Sequence, residues 1–467
     1  MKPETVYLSA VLLFLLFLLC SFSIYADNVD DYVKAQMQQR HIPGAAIAVV
    51  RNGKIVKAEG YGLASVEFGV PATKETVFEI GSITKQITAT AIMLLVEEGK
   101  INLDERISKY LPNAPESWNN VTVRNLLTHT SGIKSYTGIA SGFELTNRLK
   151  REEFIKAIGA YPLEFEPGER YNYSNSGYNL LGFIIESVTG KSYWDFVRGE
   201  IFKLLGMNST FDRDPQFVIR SRATGYEWEN NRLVGRDYDL TDVFSAGAIV
   251  STVVDLAKWD AALRNESLLK KTSLEKMWTP FVLNDGKTYP YGFGFNTADF
   301  RGHRLISHGG QTAGFAANIS RFVDDNLTVI VLTNLGDIGL GSTIARGIAK
   351  IYIPAISLKE MKAQTEPDPE VSQTFSNALR ERLENKFNPA FLTAELIKSL
   401  STERAKTGNG RIASFGAIKN LVFVGGETSG GKKIYRYKAE TPKRIFLWRF
   451  AVNDEGKISE MTLEEEE

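Results

Sequence analysis

The chain has one cysteine, Cys20, and it lies inside an apolar run near the amino terminus. A fold built from this chain has no disulfide framework, and no multi-cysteine zinc or iron–sulfur centre can organise it. Packing must hold it together. The material is present: 27 Phe, 18 Tyr and 6 Trp among 467 residues, far more than a disordered chain carries. The length exceeds one average domain and predicts two, one large and one small. Lys plus Arg number 55, and so do Asp plus Glu. With no net charge the chain offers no general field for a nucleic-acid backbone. Four histidines are too few for a His-rich metal site. Neither a metal nor a cofactor is expected.

Leu8 to Leu19 is almost unbroken in apolar character and too short to span a bilayer comfortably. Lys2 precedes it, and Ser21 to Ala26 and acidic Asp27 follow. This is the pattern of a secretory signal cleaved after Ala26. Residues 1–26 are thus expected to be a signal peptide, and the mature protein secreted or periplasmic and free of cysteine. The alternative is an uncleaved membrane anchor reaching Tyr25. Leu19 is bulky for the position before a lipidated cysteine.

Ala45 to Val50 predicts a buried strand, Asn52-Gly53 a hairpin turn, and Ile55 to Glu59 the returning strand. Tyr61 to Val70 reads as a third. Ser82 to Glu98 carries apolar Ile83, Ile87, Ala91, Leu94 and Leu95 at helical spacing and is stopped by Gly99. Short helices and loops are expected from about 100 to 240. Thr252 to Asp255 reads as a capping box opening a helix to about Leu263. Tyr291 to Phe295, Asn318 to Phe322 and Leu327 to Leu332 read as strands, and Ser342 to Tyr352 as a helix. Strands at both ends with helices between predict one α/β unit with a helical insertion. It occupies 27–358, with a linker over 359–369. Helices followed by strands such as Ile434 to Lys438 and Arg444 to Val452 then predict a small α+β domain over 370–467.

The chemistry concentrates in three short stretches. Ser82-Ile83-Thr84-Lys85 opens a helix, where positions three apart share a face, so hydroxyl and ammonium can meet. Serine is a poor nucleophile until a neighbour takes its proton. A partly buried lysine at a helix N-terminus is pushed toward its neutral form by desolvation and by the dipole. Tyr173-Ser174-Asn175 follows Pro167-Gly168, and His308-Gly309-Gly310 precedes the apolar run Phe315 to Phe322. Together these stretches resemble the three motifs of the penicillin-recognising serine hydrolases: class C β-lactamases, related esterases, D-aminopeptidases and DD-peptidases. Pro43-Gly44, Gly60-Tyr61-Gly62, Val123 to Gly132, Tyr291-Gly292-Phe293-Gly294 and Thr333-Asn334 fit the same pattern. The resemblance covers roughly 31 to 351.

The resemblance implies a mainly antiparallel sheet flanked by helices, with a helical subdomain opposite and the site between them. It implies Ser82 as acylated nucleophile, Lys85 as proton acceptor or relay, and Tyr173 as general base and later acid. Asn175 would hold the acyl side chain, and the backbone N–H groups of Ser82 and Gln311 would form the oxyanion hole. His308, Gly309, Gly310 and Gln311 would line the substrate. Class C β-lactamases have Lys-Thr-Gly where this chain has His308-Gly309-Gly310, which removes a permanent charge and argues against efficient β-lactam hydrolysis. The expected substrate is a small molecule or short peptide bearing an ester or amide. A sensor that holds cell-wall fragments without turnover is the rival reading. The carboxy-terminal domain is expected to shape the cleft or mediate self-association.

Three features are read as decoys. Gly426 to Lys432 has phosphate-loop spacing, but Lys433 replaces the Ser or Thr that Mg²⁺ needs, and a strand follows. His129 has no second metal ligand at useful spacing and reads as a structural hydrogen-bonding residue. Asn-x-Ser/Thr triplets at Asn120, Asn172 and Asn208 read as chance.

Overall fold

The hairpin at Asn52-Gly53 organises the large unit. Both residues have positive φ, 50° and 76°, which matches the twist of the strands they join. The computed structural model describes residues 28–138, 150–366, 368–429 and 432–466. The expected signal peptide and Cys20 lie outside the described residues, as do Gly430 and Gly431 of the glycine-rich loop. Two compact units divide the chain, Met1–Tyr352 and Ile353–Glu467. No helix among the described residues is long and apolar enough to cross a membrane.

In the first unit β1 (Gly44–Arg51) and β2 (Lys54–Ser65) flank the hairpin, and the short β3 (Val70–Pro71) pairs with β2. The expected third strand from Tyr61 is instead the continuation of β2. Past Glu59 it keeps pairing with β1, Gly60 with Ala46, Tyr61 with Ala45 and Gly62 with Gly44. Four later strands complete the sheet: β4 (Asn296–Phe300), β5 (His303–Thr312), β6 (Phe315–Phe322) and β7 (Leu327–Thr333). The order is β4-β5-β6-β7-β1-β2-β3 with every pair antiparallel. Ala46, Ala48 and Val50 of β1 join the main core, while Ile47 and Val49 are equally buried. Both faces of β1 are therefore covered, and its sequence is continuously apolar instead of alternating.

Helix α1 (Thr84–Glu97) buries residues on almost every side, and α2 (Asn175–Thr189) packs against it. Helix α3 (Val253–Arg264) packs on β1 and β7, and α4 (Leu340–Tyr352) on β6 and β7. The mixed architecture matches the expected class: an antiparallel sheet with helices around it. Two local readings are corrected. Thr252 caps α3 by accepting from Asp255 N at 3.1 Å, but the Asp255 carboxylate turns away, to Ser209 N and Thr210 Oγ1, so no capping box closes. Tyr291 to Phe295 is not a strand. Gly294 has φ +77°, and a Cβ on Gly292 would lie 2.0 Å from Met277 O, so the segment turns against its neighbours.

The second unit stacks helices Pro369–Leu383, Ala394–Leu400 and Glu403–Ala413 on a four-stranded antiparallel meander. Phe375 stacks on Phe450 at 4.4 Å in a core with Tyr437 and Trp448. Gly426 to Ser429 of the glycine-rich stretch lie within the strand Asn420–Ser429, paired with Lys432–Glu440. The stretch read as a linker is tied to this unit. Met361 packs against Val424 and Leu447, and Gln364 N donates to Phe423 O.

Candidate active site

Ser82 sits in one 3-10 turn, Gly81–Ile83, that runs directly into α1. Gly81 has φ +49°, and a Cβ there would lie 2.6 Å from Gln311 N. Gly310 is tighter: its Cβ would lie 1.8 Å from Ile80 O and 3.2 Å from Ser82 N. Only glycine permits β5 this close to the turn. Strand β4 ends opposite Ser307, so beyond that point this edge of β5 faces the turn and not a strand. The approach brings the main chains of Ser82 and Gln311 to one cleft of about 360 Å³.

Lys85 lies one helical turn after Ser82 and is fully buried. Its Nζ is 3.1 Å from Ser82 Oγ and donates to Asn175 Oδ1 and to Ala246 O, both at 2.8 Å. Burial holds its pKa well below the usual lysine value, with no acidic group among the described residues to offset it. Asn175 Oδ1 and Ala246 O accept only. A neutral amine that donates to both keeps its lone pair for the Ser82 hydroxyl.

Tyr173 is half-buried, with its ring centroid 4.7 Å from Lys85 Nζ. Burial raises its phenol pKa far above the ordinary range, opposed by a hydrogen bond with Ser82. Ser174 then caps α2: its Oγ accepts from Gly177 N and donates to Ile133 O. This fixes Asn175 in the first turn, where its Nδ2 donates to Thr137 Oγ1.

Of the residues singled out by sequence, Ser82, Asn175 and Gln311 line the cleft. Lys85 and Tyr173 stand behind Ser82. His308 is 4% exposed, with Nδ1 2.6 Å from Gly309 O and Nε2 2.9 Å from Tyr291 Oη. Both its ring nitrogens are thus engaged within the protein. Gly310 makes the close approach described above, whereas a Cβ on Gly309 would meet nothing nearer than 3.8 Å.

Sequence reasoning missed part of the wall. Tyr136, Thr137, Tyr238, Asp239, Leu240 and Thr312 also line the cleft, and among the described residues Asp239 is the one charged residue of its lining. Buried Glu79 accepts from Thr312 Oγ1 at 2.6 Å, and Arg213 bridges Glu79 to Asp237, which anchors the wall to the 237–240 loop. Nothing periodic marks that loop. His129 has the structural hydrogen-bonding place expected of it: Ser174 N donates to its Nδ1 at 3.1 Å. Among the described residues no group of three or more His, Cys, Asp or Glu is placed to hold a metal ion.

A family model described as Beta-lactamase matches residues 29–351. The chain is 33% identical to Protein flp of Staphylococcus aureus strain MW2 over 318 residues, covering 66% of this chain and 63% of that protein. It is 31% identical to Penicillin-binding protein 4* of Bacillus subtilis strain 168 over 322 residues, covering 63% of this chain and 69% of the other. Among solved structures, the octameric penicillin-binding protein homologue from Pyrococcus abyssi matches with TM-score 0.62 and 26% identity, covering 92% of this chain and 96% of that one. The D-amino acid amidase from Ochrobactrum anthropi SV3 matches with TM-score 0.62 and 25% identity, over 71% and 98% of the two chains. The family match spans the unit that carries Ser82, Lys85, Tyr173 and His308, and the chain belongs to the beta-lactamase family of serine hydrolases.

Proposed function

We propose that the protein cleaves an ester or amide bond through an acyl intermediate on Ser82, acting on small esters and on amides or peptides of D-amino acids, with weak β-lactam activity. The observation that carries this reading is the buried Lys85 amine, with no acid beside it, 3.1 Å from Ser82 Oγ. Ser82 Oγ attacks the acyl carbon and gives its proton to neutral Lys85 Nζ. The carbonyl oxygen becomes an oxyanion between the N–H groups of Ser82 and Gln311. Tyr173 stays a protonated phenol because burial disfavours the phenolate, and it gives that proton to the leaving group. The Lys85 ammonium restores it. Water then attacks the acyl carbon as Lys85 takes its proton, the bond to Ser82 Oγ breaks, and Lys85 returns that proton to Ser82 Oγ. Asn175 Nδ2 holds the acyl side chain. Asp239, the one charge among the described lining, suits neutral or amine-bearing substrates better than carboxylate-bearing β-lactams.

The test is intact-protein mass spectrometry with a fluorophosphonate and with short p-nitrophenyl esters. The parent gains one adduct on Ser82, and Ser82→Ala gains none. Tyr173→Phe slows acylation by a D-amino-acid amide, whose amine leaving group needs a proton, by roughly 10² to 10⁴, the usual worth of a positioned proton donor. An adduct on another residue overturns the assignment. An acyl enzyme that never turns over marks the protein as a sensor.

Two further readings belong here. The apolar run Leu8 to Leu19 supports export to the periplasm or beyond. The octameric homologue from Pyrococcus abyssi, alike over nearly the whole of both chains, supports self-association, and light scattering of the purified protein tests it.

A further inference from the structure

Behind Tyr173 and Lys85 lies a layer of buried polar groups that the steps above do not use. His129, Tyr291 and His308 are 1%, 1% and 4% exposed. Two backbone groups at the ends of this layer fix which nitrogen of each neutral ring carries the proton. Ser174 N–H can only donate, so His129 Nδ1, 3.1 Å away, carries no proton. The neutral ring of His129 then bears its proton on Nε2, which lies 3.2 Å from Tyr291 Oη. At the other end Gly309 O can only accept, so His308 Nδ1, 2.6 Å away, carries the proton. His308 Nε2 is therefore bare and accepts from Tyr291 Oη at 2.9 Å. The chain runs in one direction: Ser174 N–H to His129, His129 to Tyr291, Tyr291 to His308, His308 to Gly309 O.

The same histidine holds Tyr173. His129 O accepts from Asn172 N at 2.9 Å, so His129 clasps the residues on both sides of Tyr173, and the two rings are 4.2 Å apart. His129 adopts φ +57° to do so.

We propose that His129 and Tyr291 are positioning residues, locking His308 in its Nδ1–H tautomer and coupling the segment that carries Tyr173 to the strand that carries Gly310 and Gln311. The proposal rests on the Ser82 acylation reading for its effect on rate, but the tautomers are measurable without any reaction. The chemical logic is charge control beside Lys85. The groups facing the two imidazoles are Lys85 and Tyr173 on the reaction side, and Tyr291, Tyr178 and Tyr171 on the other. Tyr178 gives its own proton to Leu127 O. A proton added to either ring would face a donor instead of an acceptor at one of its nitrogens. Burial pushes the same way, joined by Lys85 once it carries the Ser82 proton; His308 is held at about 4 and His129 well below its usual value.

The experiment uses the full chain labelled with ¹⁵N-histidine and the variants Tyr291→Phe, His129→Gln and His129→Asn. In the parent, imidazole nitrogen shifts at pH 7 should report His308 protonated on Nδ1 and His129 on Nε2. Tyr291→Phe should lose the single-tautomer signature of His308 and lower the acylation rate constant roughly 10- to 100-fold, the scale of a misplacement of about 1 Å. KM for a neutral ester should stay within about threefold, since neither residue lines the cleft. Glutamine places an N–H near the site of Nε2 and should retain more of the rate than asparagine, which mimics Nδ1 alone. A residue important only for folding would not separate that pair. His308 protonated on Nε2 in the parent overturns the chain, and so does a folded Tyr291→Phe that acylates at the parental rate. If Tyr291→Phe does not fold, the parental shifts and the His129 pair decide. A parent that labels at no rate overturns the acylation reading and with it the positioning role, while the shifts still decide the tautomers.

Discussion

A buried imidazole without an acid partner makes the molecule sensitive to acid, and the sign follows from solvation. His308 and His129 are held neutral in the fold, His308 at about 4, while an unfolded chain titrates histidine near 6.5. Folded values below the unfolded one mean that the unfolded chain takes up protons first. The stability these residues contribute is complete above about pH 6.5 and is lost as the pH falls toward the folded value. For His308 alone the full span is about 3 kcal/mol. Buried Glu79 acts in the opposite sense, because burial raises its carboxyl and protonation then favours the fold. The urea midpoint should fall between pH 6.5 and 5, before most carboxylates titrate, and Glu79→Gln should steepen that fall. A midpoint flat across this window in both proteins would mean that the imidazoles are not held neutral. These residue-scale facts were only half legible. The pair Ser82 and Lys85 can be read from helical spacing. The partnership of His129, Tyr291 and His308 spans 162 and 17 residues of sequence, and nothing local encodes it.

At the scale of elements, the site is made where strand β5 meets the turn before α1. Two glycines in the same motif occupy opposite situations there. A Cβ on Gly310 would lie 1.8 Å from Ile80 O and 2.8 Å from Ile80 C, main-chain atoms that move only if the strand leaves the turn. A Cβ on Gly309 would meet its nearest atoms at 3.8 and 3.9 Å. Gly310→Ala should therefore cost about 1–3 kcal/mol of stability and slow acylation by roughly 100-fold as the oxyanion donors separate. Gly309→Ala should stay within about threefold on the same scale. Chemical denaturation and pre-steady-state labelling read both quantities, and equal effects from the two alanines would remove the close approach as the cause. Sequence showed both glycines but could not rank them, since the ranking depends on what stands opposite. The same holds for Tyr291 to Phe295. Its apolar residues read as a strand, yet Gly292 and Gly294 are needed for contact with Met277 and Lys85 main chain. The buried strand β1 and the Asn52-Gly53 hairpin were legible because their determinants are adjacent in sequence. The pairing of β1 with β7, almost three hundred residues later, was not.

At the scale of the whole molecule, each unit owns its core. The first gathers Ile87, Ile92, Leu126, Leu181 and Trp259 around α1, and the second gathers Phe375, Leu379, Tyr437, Trp448 and Phe450. Neither cluster draws a residue from the other unit. Ser82, Lys85, Tyr173, Asn175, His308 and Gln311 all belong to the first, and every hydrogen bond described for them ends within it. The family match stops at 351, one residue short of that unit's end at Tyr352. A protein ending after Tyr352 should therefore fold cooperatively and acylate Ser82 with a small ester at a rate within about threefold of the full chain, well inside the tenfold that 1.4 kcal/mol represents. Circular dichroism establishes folding, and single-turnover labelling of Ser82 establishes the chemistry. A truncated protein that melts as one cooperative unit yet takes no label would show that residues beyond 352 complete the site, and the assignment of the chemistry to the first unit alone would fall.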